Sequence, residues 1–168
     1  MAKGKAGLHL GSAVWLALIR IYVGCVWVYL GWRDLGSNTF ISRMAKTLNI
    51  MLGRNPYDWY NTFAREVLLP NAKLLGALTA YGEIVVGVSL ALGLLTNLGA
   101  ILGILFSLNL YFAAGWANMY TGQFALLLAF AQIIFIFGGA GRTWGLDRFL
   151  ARWLPRLTFV AAGPPKNG

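Results

Sequence analysis

The 168-residue chain is 58% hydrophobic and 11% charged, and it carries seven Trp, seven Tyr and ten Phe. Charges are about half as frequent as in a soluble domain, so this much apolar surface needs a low-dielectric solvent outside the protein as well as a core within it. The formal net charge of +9 does not indicate nucleic acid, because the basic residues sit in loops and tails between apolar runs, where topology signals and lipid phosphates account for them.

Four apolar runs are each close to the ~20 residues that cross a bilayer. The first spans about residues 13–30 and holds one charge, Arg20. Lys3 and Lys5 ahead of it resemble the start of a signal peptide, and Val23-Gly24-Cys25 resembles a lipoprotein cleavage site. Arg20 interrupts the apolar stretch and Tyr22 fits that site poorly, so the segment reads as a retained span. Cys25 is the single cysteine, which excludes an intramolecular disulfide. It reads as a small buried packing residue. His9 is the single histidine, too few for bis-histidine haem and without companions for a metal site.

The following loop, residues 36–73, is too long for a plain connector. Phe40, Ile41, Met44, Leu48 and Met51 recur at helical spacing. Asn55-Pro56 reads as a cap followed by a first-turn proline. Tyr57, Trp59, Tyr60, Phe63 and Val67 then line a second short helix that Pro70 ends. These two helices lie in the membrane interface as aromatic anchors or cover the outer end of the bundle as a lid.

The second span, about 74–95, has Glu83 as its only charge, on a stripe with Gly76, Ala80, Gly87 and Ala91. Small residues at this spacing let helices approach closely, so Glu83 should face the bundle. The third span, about 98–117, follows after Thr96-Asn97, which predicts a tight antiparallel hairpin. The fourth, about 124–140, ends in Gly138-Gly139-Ala140-Gly141, read as a flexible helix exit because no strand precedes it and the spacing is not that of a dinucleotide site. A basic tail, 142–168, closes the chain. The architecture is an all-α polytopic four-helix membrane bundle in one domain. The two tails hold seven Lys or Arg and the first loop six, a small excess that puts both termini in the cytoplasm.

Each span contributes one polar group. Counted inward from the terminal face, Arg20 lies about 10 Å deep, Gln132 about 12 Å, Asn109 about 16 Å and Glu83 about 18 Å. A carboxylate in hydrocarbon must be paired or protonated. An Arg20–Glu83 pair completed by Asn109 and Gln132 solves this. Such a layer serves as a pocket for a quinone head group or another small ligand, as a proton relay, or as a closed network that fixes helix register. Arg20 reaching out to the inner face is a further solution. Tyr22, Tyr81 and Tyr111 offer a hydroxyl or a stacking ring to a ligand, or plain packing.

Taken together, Leu68-Leu69-Pro70-Asn71, Tyr81-Gly82-Glu83, Gly87, Leu92-Gly93-Leu94-Leu95-Thr96, Leu108-Asn109, and the exit Gly139-Ala140-Gly141-Arg142-Thr143-Trp144-Gly145-Leu146-Asp147-Arg148 resemble the DoxX/DoxD family. With Arg20, Gly24 and Gly31 of the first span, the resemblance extends from about Ser12 to Leu150. It is strongest to the DoxD-like branch, the membrane subunit of thiosulfate:quinone oxidoreductase. It implies a subunit of a bacterial or archaeal cytoplasmic membrane that serves quinone-linked electron transfer. Glu83 and Arg20 would then be catalytic, and Asn109, Gln132 and Tyr81 would hold the quinone. The sequence has no recognisable haem, iron–sulfur, flavin or metal site. A non-catalytic accessory subunit of a larger respiratory or photosynthetic complex is the alternative. A transporter fits less well, because spans three and four are uncharged and no internal repeat is evident. Other membrane subunits are the expected protein partners.

Overall fold

The computed structural model describes residues 3–37, 39–142 and 144–147, with side chains from residue 14 onward except that of residue 142. The side chains of Lys3, Lys5 and His9, and the basic tail from 148 to 168, lie outside the described part.

The described chain is all helix and turn. The helices are α1 (Lys3–Gly36), α2 (Phe40–Leu52), α3 (Asp58–Phe63), α4 (Ala72–Leu92), α5 (Thr96–Leu110) and α6 (Met119–Gly138). Wider π-helical turns continue α3 over Ala64–Leu68 and α5 over Tyr111–Gly115. Four segments are long and apolar enough to cross a bilayer: Val14–Gly36, Ala72–Leu92, Thr96–Gly115 and Met119–Gly138. Only 33% of the most apolar stretch of each is fully buried, and the rest is half-buried or exposed. The exposed surface includes Trp15, Tyr22, Tyr29, Trp32 and Phe137, which suits lipid and would aggregate in water.

The first span runs six residues further than expected, because Gly31, Trp32, Arg33 and Asp34 continue the helix. There Arg33 donates to Asp34 Oδ1 at 2.9 Å in the one ion pair found among the described residues. Cys25 was expected inside; it is exposed on the lipid-facing side of α1.

Two glycine seams set the packing. Lipid gives helices no hydrophobic reason to associate, so close backbone approach supplies the contact. A Cβ on Gly24 would lie 2.5 Å from Ala91 N and 2.8 Å from Gly87 O, and one on Gly87 would lie 2.5 Å from Val28 N. The stripe predicted on α4 is therefore the surface against which α1 runs antiparallel. On the other side of the bundle, α5 and α6 meet where Gly115 faces Gly122 and where Gly103 faces the Gln132 side chain.

The α4–α5 connection lies earlier than Thr96-Asn97. Gly93 takes the left-handed conformation (φ +64°), and Leu94 N–H donates to Ser89 O at 2.9 Å, a helix stop of the Schellman type. Leu95 follows, also left-handed at φ +52°, and Thr96 and Asn97 already belong to the first turn of α5.

In the long loop, α2 packs on α4, with Gly76 against Ile41 and Met44. Leu48, Leu52, Tyr60, Ala64, Leu68, Ala72 and Ala113 form a second core beneath it. The loop helices thus form a layer closing the end of α4 and α5. Asn55 Oδ1 accepts from Tyr57 N–H at 2.9 Å, a turn that precedes the helix. Pro56 therefore stands before Asp58 instead of in its first turn.

Gly24→Val and Gly87→Val each force α1 and α4 apart. Each should cost about 1–3 kcal/mol, read as a lower midpoint in a mixed-micelle SDS titration, whereas Tyr22→Val on the lipid face should leave the midpoint unchanged.

Candidate functional site

The side chains expected to share one layer occupy three different places.

Arg20 is fully buried, so it does not reach out to the membrane face. It does not pair with Glu83. Its Nη1 donates to Ala140 O at 2.9 Å and its Nη2 to Trp144 O at 3.1 Å. The guanidinium lies in a glycine cradle: a Cβ on Gly93 or on Gly145 would strike Nη1. The segment after α6 thus folds back over the α4–α5 turn. Leu146 N–H donates to Leu92 O at 3.1 Å and Asp147 N–H to Gly93 O at 2.8 Å. The Asp147 carboxylate then accepts from Leu95 N–H (2.6 Å) and Thr96 N–H (3.0 Å). It caps α5 from a residue about fifty positions away, satisfying donors that a helix start leaves open and meeting the positive end of its dipole. Burial pushes the Asp147 carboxyl above the usual carboxylate range, while hydrogen bonds from Thr96 and Leu95 and the Arg20 charge pull it back. The glycine run at the end of α6 is therefore no loose exit: Ala140 is 2% exposed and its carbonyl receives Arg20.

Glu83 lies on the α1–α4 seam. Its Oε2 is buried without a hydrogen-bond partner among the described residues, and Asp34 and Arg33 are the charges within its electrostatic reach. Gln132 is fully buried against Gly103. Tyr81 is 60% exposed and joins neither.

Asn109 lies toward the loop end, away from Arg20. Tyr60, buried beneath the loop helices, donates its hydroxyl to Asn109 Oδ1 at 2.8 Å. Burial pushes the Tyr60 hydroxyl up to about 12, so it remains a donor at neutral pH. Rings crowd around: Trp59 and Tyr57 stand edge-on to Phe112 with centroids 4.8 and 5.3 Å away, and Tyr111 lies 6.4 Å from Tyr57. Asn55 Nδ2 donates to Phe112 O at 2.7 Å, a carbonyl within the π-helical turn of α5. Such turns free backbone groups from the regular ladder and recur at functional sites. Asn109 itself is exposed on its outer side. Neither Tyr60 as its partner nor Asp147 as the partner of the α5 start has a local signal in the sequence.

A groove of about 320 Å³ runs along α4 and α5, lined by Ile84, Val88, Leu95, Leu98 and Leu102 among others. None of Arg20, Glu83, Asn109 or Gln132 lines it. Among the described residues no group of three or more His, Cys, Asp or Glu is placed to hold a metal ion.

A family model described as DoxX matches residues 15–116. The chain belongs to the DoxX family. The match carries Arg20, Tyr60, Glu83 and Asn109 and ends before Gln132 and Asp147. No curated protein and no solved structure matches this DoxX chain.

In a double-mutant cycle, Arg20→Leu and Asp147→Asn should couple strongly. Each alone strands backbone groups that the buried charge had satisfied and should cost about 1–3 kcal/mol. Arg20→Leu and Glu83→Leu should be additive, because neither a contact nor a charge interaction joins them. A spectrophotometric titration should show one tyrosine ionising near pH 12, lost in Tyr60→Phe. Because the folded value is raised, the stability Tyr60 contributes is complete below pH ~10 and is lost as pH rises towards ~12.

Proposed function

We propose that this DoxX-family chain is the membrane subunit of a quinone-linked electron-transfer system, and that a quinone head group docks at Asn109. The observation that carries the reading is the Tyr60–Asn109 hydrogen bond. With Oδ1 taken by the tyrosine hydroxyl, the Asn109 amide is oriented so that its N–H groups are left for an acceptor. An outward-facing amide at bilayer depth favours a lipid-soluble carbonyl compound over water. The rings of Trp59, Tyr57 and Phe112 provide apolar faces beside it. The chain's own contribution is to bind and orient; the electrons reach the quinone from a donor outside this subunit, a sulfur compound or its oxidoreductase if the DoxD-like resemblance extends to activity.

Placement in a bacterial or archaeal cytoplasmic membrane with both tails in the cytoplasm belongs to the same reading and rests on the basic tails. In a Cys25→Ala background, cysteines at Lys3 and Lys166 should label from the cytoplasmic side and one at Asn55 from the other.

A second reading, an accessory subunit without catalysis, is favoured by one feature. The glycine-rich exit, with Glu83 the most specific part of the resemblance, is engaged with Arg20 in holding the helix ends together.

Short-chain ubiquinone and menaquinone analogues distinguish the two. Added to the protein in nanodiscs, they should quench fluorescence of Trp59 saturably. Asn109→Leu should weaken binding about tenfold, the equivalent of one hydrogen bond of about 1.4 kcal/mol, and Tyr60→Phe by less. Equal quenching in wild type and Asn109→Leu would refute the head-group site. Co-purification of stable partner subunits without quinone would support the accessory reading.

A further inference from the structure

All four spanning helices send a polar side chain into the core that finds no hydrogen-bond partner among the described residues. Besides Arg20 Nε in its glycine cradle, these atoms include Trp27 Nε1, Glu83 Oε2, Ser107 Oγ and both amide atoms of Gln132. Trp27 is 2% exposed, Ser107 1% and Gln132 0%.

Packing puts them in neighbouring turns of the bundle. Gly87 abuts Val28 and Gly31 abuts Ile84, so the Trp27 turn of α1 runs alongside the Glu83–Gly87 turn of α4. Gly82 faces the Phe106 ring, whose centroid lies 6.2 Å from that of Trp27, which brings the Phe106–Ser107 turn of α5 to the same height. The Gln132 amide rests on Gly103, one turn from Ser107. The four groups therefore fall within roughly one and a half turns of the bundle axis.

In hydrocarbon, an unpaired amide, indole N–H or carboxyl oxygen has no solvent to turn to. Several in neighbouring turns would consume most of a bundle's margin of stability. The set mixes donors and acceptors: Trp27 only donates, Gln132 does both, and Ser107 either. An anion would meet the Gln132 and Glu83 oxygens, and a cation would meet the Trp27 and Gln132 N–H groups. Water donates and accepts, and it needs two to four polar partners in a small space.

We propose that the bundle holds ordered water at the level of Glu83, bound by Trp27, Ser107, Gln132 and the Glu83 carboxyl, which makes Glu83 a hydrated acid at mid-bilayer depth. This is independent of the head-group site at Asn109.

Radiolytic hydroxyl-radical footprinting of the full chain in nanodiscs tests it, because buried side chains are oxidised when bound water lies beside them. Trp27 should be labelled several-fold above Phe135, a 1%-exposed ring of the same core, after correction for intrinsic reactivity. The double variant Ser107→Ala, Gln132→Leu should lose that labelling while keeping its elution profile. Should the variant fail to fold, water-edited solid-state NMR of the wild type reads the same site, with a cross-peak from water to the Gln132 side-chain amide. Labelling of Trp27 no greater than that of Phe135, or no transfer from water to Gln132, overturns the proposal.

Discussion

The buried guanidinium of Arg20 is the constraint on which the terminal-face end of this bundle depends. A charge that cannot reach water needs acceptors, and here the direct ones are backbone carbonyls. The carbonyls of Ala140 and Trp144 bind it directly, and the Asp147 carboxylate balances its charge while capping α5. Four chain segments thus share one polar knot: α1, the α4–α5 turn, the start of α5 and the segment after α6. The left-handed residues Gly93 and Leu95 fit the same requirement. A side chain at 93 would occupy the guanidinium's place, and the turn at 95 aims two N–H groups at Asp147.

Away from that knot the bundle is held by close approach. Between α1 and α4 the backbones touch at Gly24 and Gly87, and dispersion across the seam replaces the hydrophobic effect that lipid removes. At the opposite end, aromatic side chains and the π-helical turn of α5 pack under the loop helices, which carry the other such turn. The molecule therefore has a charged, hydrogen-bonded end and an aromatic end. The two make different chemistry available: the first turns its charges inward, and the second presents Asn109 outward.

The spans were legible because bilayer thickness imposes their length, whatever their sequence. The inward face of α4 was legible because Gly76, Ala80, Gly87 and Ala91 repeat at helical spacing. The partner of Arg20 was not. Opposite charge at similar depth points to Glu83, whereas the direct acceptors are backbone carbonyls, which carry no signature in sequence. Asp147 was visible only as part of a motif, because capping a helix from some fifty residues away leaves no local pattern. Asn109 was placed by counting depth along one helix. Its partner, Tyr60, comes from a loop helix whose seat on the bundle depends on packing at Ala64, Leu68 and Ala113. Cys25 was assigned to the interior by residue type alone, and in a bilayer an apolar residue is equally at home outside.

The span between Arg20 and its acceptors also bears on how the protein is made. Ala140 lies 120 residues after Arg20, and Trp144 lies 124 after it. At roughly 5–20 residues per second of synthesis, the first helix waits on the order of ten seconds with its cation unmatched. The nascent chain must keep Arg20 near headgroups or within the insertion machinery until the last helix arrives. The knot is then the final event of biogenesis, and a chain truncated before Asp147 would reach the membrane with its four spans written but its first helix unmoored.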